Sequence, residues 1–501
     1  MNEASNPKPM GEAFAFDNSY ARLPDIFFAP VDPTPVEAPR VIKFNRALAQ
    51  ELGLDADALE RHGAGYFSGN VALPGGLPLA MAYAGHQFGQ FVPRLGDGRA
   101  ILLAEVIDRN GKRRDIQLKG AGQTPYSRRG DGRAALGPVL REYIISEAMH
   151  ALGIPTTRAL AAVATGQAVY RDRVLPGAVF TRVAASHIRV GTFQFFAARG
   201  ETENVRVLAD HVIDRHYPDL KGAEKPYLAL LDAVADRQAA LIAKWLGVGF
   251  IHGVMNTDNM TISGETIDFG PCAFMDRYDP RTVYSSIDQH GRYAFGNQPA
   301  IGQWNIARLA EAMLAILDEN EDKALEAANA AVTRFMERFQ EHWKVVIRAK
   351  TGLGDEEQEI DQALIRDLLV ILYEQKADYT LAFRRLADAA EDSAADAALG
   401  SLLEDPNALT PWLAAWRDRL SQEDVSPEAR AAAMRKVNPA FIPRNHKVEE
   451  ALNAAIDHGD FSLFEALNDL LSRPYEDQPA FAAYAEPPRP GEEITATFCG
   501  T

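Results

Sequence analysis

The chain has 501 residues, 47% hydrophobic and 24% charged, with a formal net charge of −17. That length exceeds one core, so two or three domains or lobes are expected, and the acidic balance argues against a nucleic-acid binder, whose surface would be basic. No run approaches about 18 unbroken apolar residues, so no membrane span is expected. The start, "MNEASNPKPMGEAFAFDNSY", lacks the regions of a secretory signal and is poor in arginine, which makes a cytoplasmic location the expectation.

Residues 1–80 are punctuated by Pro and Gly and hold one helical run, "VIKFNRALAQELGL"; they read as an extension wrapped on a neighbouring lobe. Over 81–190, "RAILLAEVID" and "RRDIQLKGAG" flank Asn110-Gly111, a strong hairpin signal. A helix follows at "LGPVLREYIISEAMHALGI", where Leu140, Ile144, Ala148 and Leu152 recur at helical spacing and Gly153 and Pro155 end it. "QAVYRDRVLPGAVFTRVA" gives two more strands around a turn. Residues 191–480 are mostly helical, beginning with the long amphipathic run "PYLALLDAVADRQAALIAKWLGVGF". Residues 481–501 read as a mobile tail after a Pro-rich break. The expected fold is α+β and bilobal: a small β-rich N-lobe, a larger helical C-lobe, and extensions at both ends, the plan of a protein kinase.

The chemistry concentrates in "HGVMNTDNMTISGETIDFG", residues 252–270. A kinase catalytic loop runs H-R-D-L-x-x-x-N and is followed by D-F-G. His252 and Asn259 keep that separation, and Asp268-Phe269-Gly270 stands where the metal-binding Asp belongs, but Val254 replaces the catalytic Asp. Asn259 and Asp268 offer a carbonyl and a carboxylate to Mg²⁺ or Mn²⁺; "MTI" and "TID" around Ser263-Gly264-Glu265 read as short strands that bring the two together. Asp258 is the nearest carboxylate left in the loop. It either accepts a proton from an attacking hydroxyl or orients Asn259.

Lys119 ends a strand and suits phosphate binding, with Glu142 preferred over Glu147 as its partner on the next helix. Gly96 and Gly98 in "LGDGRA" and the Gly130-Asp131-Gly132-Arg133 repeat could admit backbone N–H groups to phosphate oxygens, or be turns only. Arg182 and Arg189 could clamp phosphates bidentately, or be solvated surface groups. The two cysteines, Cys272 beside the DFG and Cys499 near the end, rule out a disulfide-built scaffold. They are either separate thiols or a redox-sensing pair.

Together "AYAGHQFGQFVPRLGDGRA", "QLKGAGQTPYSRRGDGRA", "LREYIISEAMHALGIPTTRAL" and "HGVMNTDN…IDFGPCAFMD" closely resemble the selenoprotein O family, from about residue 20 to the C-terminus. The resemblance implies a kinase-like fold that transfers AMP from ATP to Ser, Thr or Tyr hydroxyls of proteins, with the nucleotide flipped relative to kinases. It implies that Lys119, with Glu142, and Arg182 and Arg189 hold the phosphates. It implies ATP contacts at Gly96, Gly98, Arg99, Asp131, Gly132 and Asp268, metal ligands Asn259 and Asp268, and Asp258 as base. Some members carry selenocysteine near the C-terminus, where this chain has Cys499, which implies a redox role for it. A monomer is expected. Phosphotransfer and non-catalytic nucleotide sensing stay open as alternatives, as does the use of UTP.

Overall fold

The computed structural model describes residues 16–354 and 356–498. Its first half is built on one antiparallel sheet. In chain order the elements are β1 (Phe28–Pro30), β2 (Arg40–Phe44), α1 (Arg46–Glu51), α2 (Ala56–Ser68), β3 (Leu79–Met81), β4 (Gly85–Gln87), β5 (Gln90–Val92), β6 (Ala100–Ile107), β7 (Arg113–Lys119), β8 (Ala134–Ala135), α3 (Leu136–Ala151), β9 (Arg158–Tyr170) and β10 (Val174–Ala184). The sheet order is β1-β3-β6-β7-β10-β9-β2, with β8 paired to β10. β4 and β5 form a separate hairpin.

The helical half follows with α4 (Val190–Ala197), α5 (Thr202–His216), α6 (Pro226–Gly247), β11 (Phe250–Ile251), β12 (Ala273–Phe274), α7 (Gln298–Leu317), α8 (Glu321–Lys350), α9 (Glu359–Glu374), α10 (Tyr379–Glu391) and six further α-helices to residue 485. The α+β class, β-rich first and helical second, is as expected. Among the described residues no helix is long and apolar enough to cross a membrane.

Two elements differ from the sequence reading. "VIKFNRALAQELGL" is not one helix: Val41–Phe44 lie in β2, and only Arg46–Glu51 is helical. Asn45 makes the break, its side-chain oxygen accepting the Leu48 N–H as an N-cap, while the branched Val41 and Ile42 suit a strand laid along β9. Nor do "MTI" and "TID" pair as a strand hairpin. Thr261 bridges to Arg189 and Thr266 to Thr156, and the turn is closed instead by Thr261 Oγ1 donating to the Glu265 carbonyl (2.6 Å).

The start of the chain supplies both outer strands of the sheet, β1 and β2. The tail read as mobile is docked as far as Thr497. Thr497 N–H donates to Tyr284 O (2.7 Å), Ser286 N–H to Thr497 O (3.0 Å), and Thr497 Oγ1 to Pro271 O (2.5 Å).

Candidate active site

β11 and β12 pair antiparallel and pinch off the loop that carries residues 252–272. His252 organises its entry. The ring is buried, Nε2 donates to Ile267 O (2.9 Å) and Nδ1 accepts the Val254 N–H (3.3 Å), which fixes a neutral tautomer; burial lowers its pKa. Asn259 Nδ2 donates to Val254 O (3.0 Å), so Val254 serves the loop through its carbonyl while its side chain is buried.

Opposite, the sheet brings a charged cluster together. Lys119 Nζ lies 2.6 Å from Glu142 Oε2 and 2.5 Å from Asp268 Oδ1. Arg182, only 1% exposed, reaches Glu142 (3.2 Å), Asp268 (3.3 Å) and Gln117 Oε1 (2.7 Å). Arg189 approaches Asp268 Oδ2 (3.7 Å) and Asp97 (3.8 Å), donates to Asp258 O (2.8 Å) and stacks on Tyr83 at 4.4 Å. Burial works to raise the Asp268 pKa, but Lys119, Arg182 and Arg189 outweigh it and hold the carboxyl well below its ordinary value. Glu147 goes elsewhere, to Arg158 (2.8 Å). The two arginines are therefore buried and paired, not solvated.

These residues line a cleft of two joined chambers. The first, about 390 Å³, is lined by Lys119, Arg182, Arg189, Asp258, Asn259 and Asp268 among others. The second, about 270 Å³, is lined by Gly96, Gly98, Arg99, Asp131 and Gly132 among others. Tyr83, Gln87, Gly98, Arg99, Arg128 and Asp258 line both. Gly96 has φ +70°, and a Cβ there would sit 2.3 Å from the Tyr126 ring. Asp131 is held by Arg171 (2.8 Å), which lowers its pKa. Asp258 is nearly enclosed; burial pushes its pKa up to about 6 against the opposing pull of Gln87 and Arg189.

Among the described residues four non-glycine residues have positive φ, and three of them, Phe88, Arg128 and Asp268, line the first chamber. Such conformations persist where the surroundings over-determine them, as at functional sites. Sequence reasoning missed Tyr83, Gln87, Asp97 and Arg128. Asp97 stood between two chosen glycines, and its burial was the absent clue.

Asn259 and Asp268 line the first chamber together, an amide and a carboxylate beside three cations, and such side-chain oxygens are the donor type that hard divalent cations take. The profile of the family described as "Protein adenylyltransferase SelO" matches residues 12–472. The chain belongs to this family. Proteins named "Protein nucleotidyltransferase YdiU" are similar throughout. The one from Rhizobium meliloti is 70% identical over 98% of this chain and 100% of its own. That of Rhizobium rhizogenes is 67% identical over 100% of both, and that of a Bradyrhizobium species 62% identical over 97% of this chain and 99% of its own. This SelO-family chain is accordingly a nucleotidyltransferase, and the cleft is its candidate active site.

Proposed function

We propose that the chain transfers AMP from ATP to Ser, Thr or Tyr hydroxyls of protein acceptors, with release of diphosphate. The observation that carries this is the place of Asp258. It lines both chambers, whereas the position of a kinase base is the apolar Val254. A nucleotide laid across both chambers, flipped relative to a kinase, would present its α-phosphate beside Asp258. Asp258 is then the general base, with Lys119, Arg182 and Arg189 binding phosphates and Lys119 held by Glu142. Gly96, Gly98, Arg99, Asp131 and Gly132 contact the rest of the nucleotide. Residues 81–190 and 191–480 act as the two lobes of a kinase-like fold.

Asn259 and Asp268 would hold Mg²⁺ or Mn²⁺, which neutralises phosphate charge when bound. The chain works as a monomer in the cytoplasm. Under oxidation Cys272 and Cys499 join in a regulatory disulfide. Docking of Thr497 on Pro271 favours this; Cys499 itself lies outside the described residues. Non-reducing peptide mapping after mild oxidation tests the pair, and two separate thiols would end the idea.

Label transfer tests the reaction. Label from [α-³²P]ATP should stay on protein and label from [γ-³²P]ATP should not. Asp258→Asn should keep nucleotide binding and slow transfer by roughly 10²–10⁴-fold. A gain of phosphate without AMP, read by intact mass, would make the chain a kinase.

A further inference from the structure

Consecutive residues of the β4–β5 hairpin are tied to the catalytic loop. His86 N–H donates to Thr257 Oγ1 (2.7 Å), Gln87 Nε2 to Asp258 Oδ2 (3.2 Å), and Phe88 N–H to Asn256 Oδ1 (3.0 Å). Behind them Thr257 Oγ1 donates to Gln194 Oε1 (2.6 Å), and Gln194 Nε2 meets His86 Nδ1 at 2.8 Å. Asn256 Oδ1 also accepts from Tyr293 OH (2.6 Å), and the Tyr293 ring packs on Phe88 at 5.2 Å. Phe88 holds φ +51°, which is costly for a bulky residue. The bond to Asn256 and the contact with Tyr293 keep it there.

The two oxygens of Asp258 are treated differently. Oδ1 is buried without a hydrogen-bond partner and packs on Gly85, where a Cβ would come within 2.5 Å of it. Oδ2 receives the Gln87 amide. We propose that Gln87 is a positioning residue for transfer: its amide fixes the Asp258 carboxylate through Oδ2, with Oδ1 shut against Gly85, so that the remaining lone pair of Oδ2 meets the attacking hydroxyl. This rests on Asp258 being the base. In the step, the acceptor oxygen bonds to the α-phosphorus and its proton passes to Oδ2. The bond from the α-phosphorus to the bridging oxygen breaks, and diphosphate leaves with that electron pair. Gln87 is unchanged throughout. Its worth is orientation, and a misplacement of about 1 Å near the reacting atoms can cost on the order of 10²-fold in rate.

The test uses the full chain as its own acceptor for [α-³²P]ATP, with ATP affinity read by calorimetry. Four proteins are compared: wild type, Gln87→Met, Asp258→Asn and the double variant. Gln87→Met keeps the length of the side chain and lacks the donor. It should slow transfer about 10- to 100-fold with ATP affinity held within about threefold, and the double variant should be no slower than Asp258→Asn alone. Wild-type rates in Gln87→Met beside a slow Asp258→Asn would overturn the Gln87 assignment by itself, as would multiplicative losses in the double variant or a large loss of ATP affinity. Wild-type rates in Asp258→Asn would instead remove the base, and this proposal with it. A crystal structure of Gln87→Met should show Asp258 turned from its present rotamer; an unchanged rotamer counts against the proposal.

Discussion

At the scale of single residues, burial decides what a substitution will report. Arg182 is fully enclosed and serves Gln117, Glu142 and Asp268 at once. Arg182→Ala therefore removes a candidate phosphate contact and also leaves a buried carboxylate short of a partner, a loss of about 3 kcal/mol or more. We expect a lower melting temperature without nucleotide and at least tenfold weaker ATP binding by calorimetry; an unchanged melt would show that the cluster re-pairs. Lys350 offers a pH test away from the cleft. It ends α8 fully buried, with Nζ 2.7 Å from Asn438 Oδ1 and 4.2 Å above the Phe383 ring. Burial lowers its pKa from 10.5 to about 7, although the Asn438 oxygen and the ring favour the ammonium. Between those values the unfolded chain holds more protons at this residue than the folded chain, so its contribution makes stability rise with pH from about 7 towards 10. Lys350→Met should flatten that rise in melts taken across the window. Equal slopes in the two proteins would mean that the folded lysine keeps its ordinary pKa.

At the scale of elements, the β4–β5 hairpin and the catalytic loop act as one unit, and Gly85 is where they press together. A Cβ at residue 85 would lie 2.5 Å from Asp258 Oδ1 and 2.9 Å from its Cβ. Gly85→Ala must displace the carboxylate or the hairpin, and we expect transfer to fall by roughly 10²-fold while the protein still melts cooperatively. Full activity in that variant would show that the orientation of Asp258 is unimportant. The sequence announced the loop but not its clasp. The DFG, the His252–Asn259 spacing and the strand lysine are local patterns, and so are the β6–β7 hairpin and α3. Gln87 and Tyr83 lie in a block that carries the family resemblance, but neither residue type nor spacing assigns them a role. They matter because the fold brings residue 87 to residue 258, and no periodicity records a contact over that span. β2 was misread for a related reason. Its few residues become a strand by lying along β9, and on their own they continue into a helical pattern.

At the scale of the whole molecule, the sheet and the helices are joined through buried charge. Arg215, on α5, reaches into the sheet, where it pairs with Asp115 on β7 and with Glu105 on β6 (3.0 Å). Asp115 also holds His187 through both its backbone N–H and Nδ1 at 2.9 Å. Glu105 in turn accepts from Ser19 Oγ (2.6 Å) and the Tyr20 N–H, so one arginine ties the start of the chain, the sheet and the helical half together. Lys43 pairs with Glu465, and Arg141 with Glu449, as further ties between the halves. If the halves unfold as one body, loss of Arg215 should be felt everywhere. Arg215→Met keeps much of the apolar stem but leaves Asp115 beside a neutral His187 and Glu105 with Arg113 as its remaining cation (3.4 Å), and breaking a buried pair in this way costs about 3–5 kcal/mol. The expected outcome is a single urea transition, shifted to lower urea, that coincides by circular dichroism and by tryptophan fluorescence. Two separated transitions would show that the sheet and the helices are independent units joined only by the chain, and an unmoved midpoint would show that the neutral donors around Asp115, and Arg113 beside Glu105, hold the two carboxylates without Arg215.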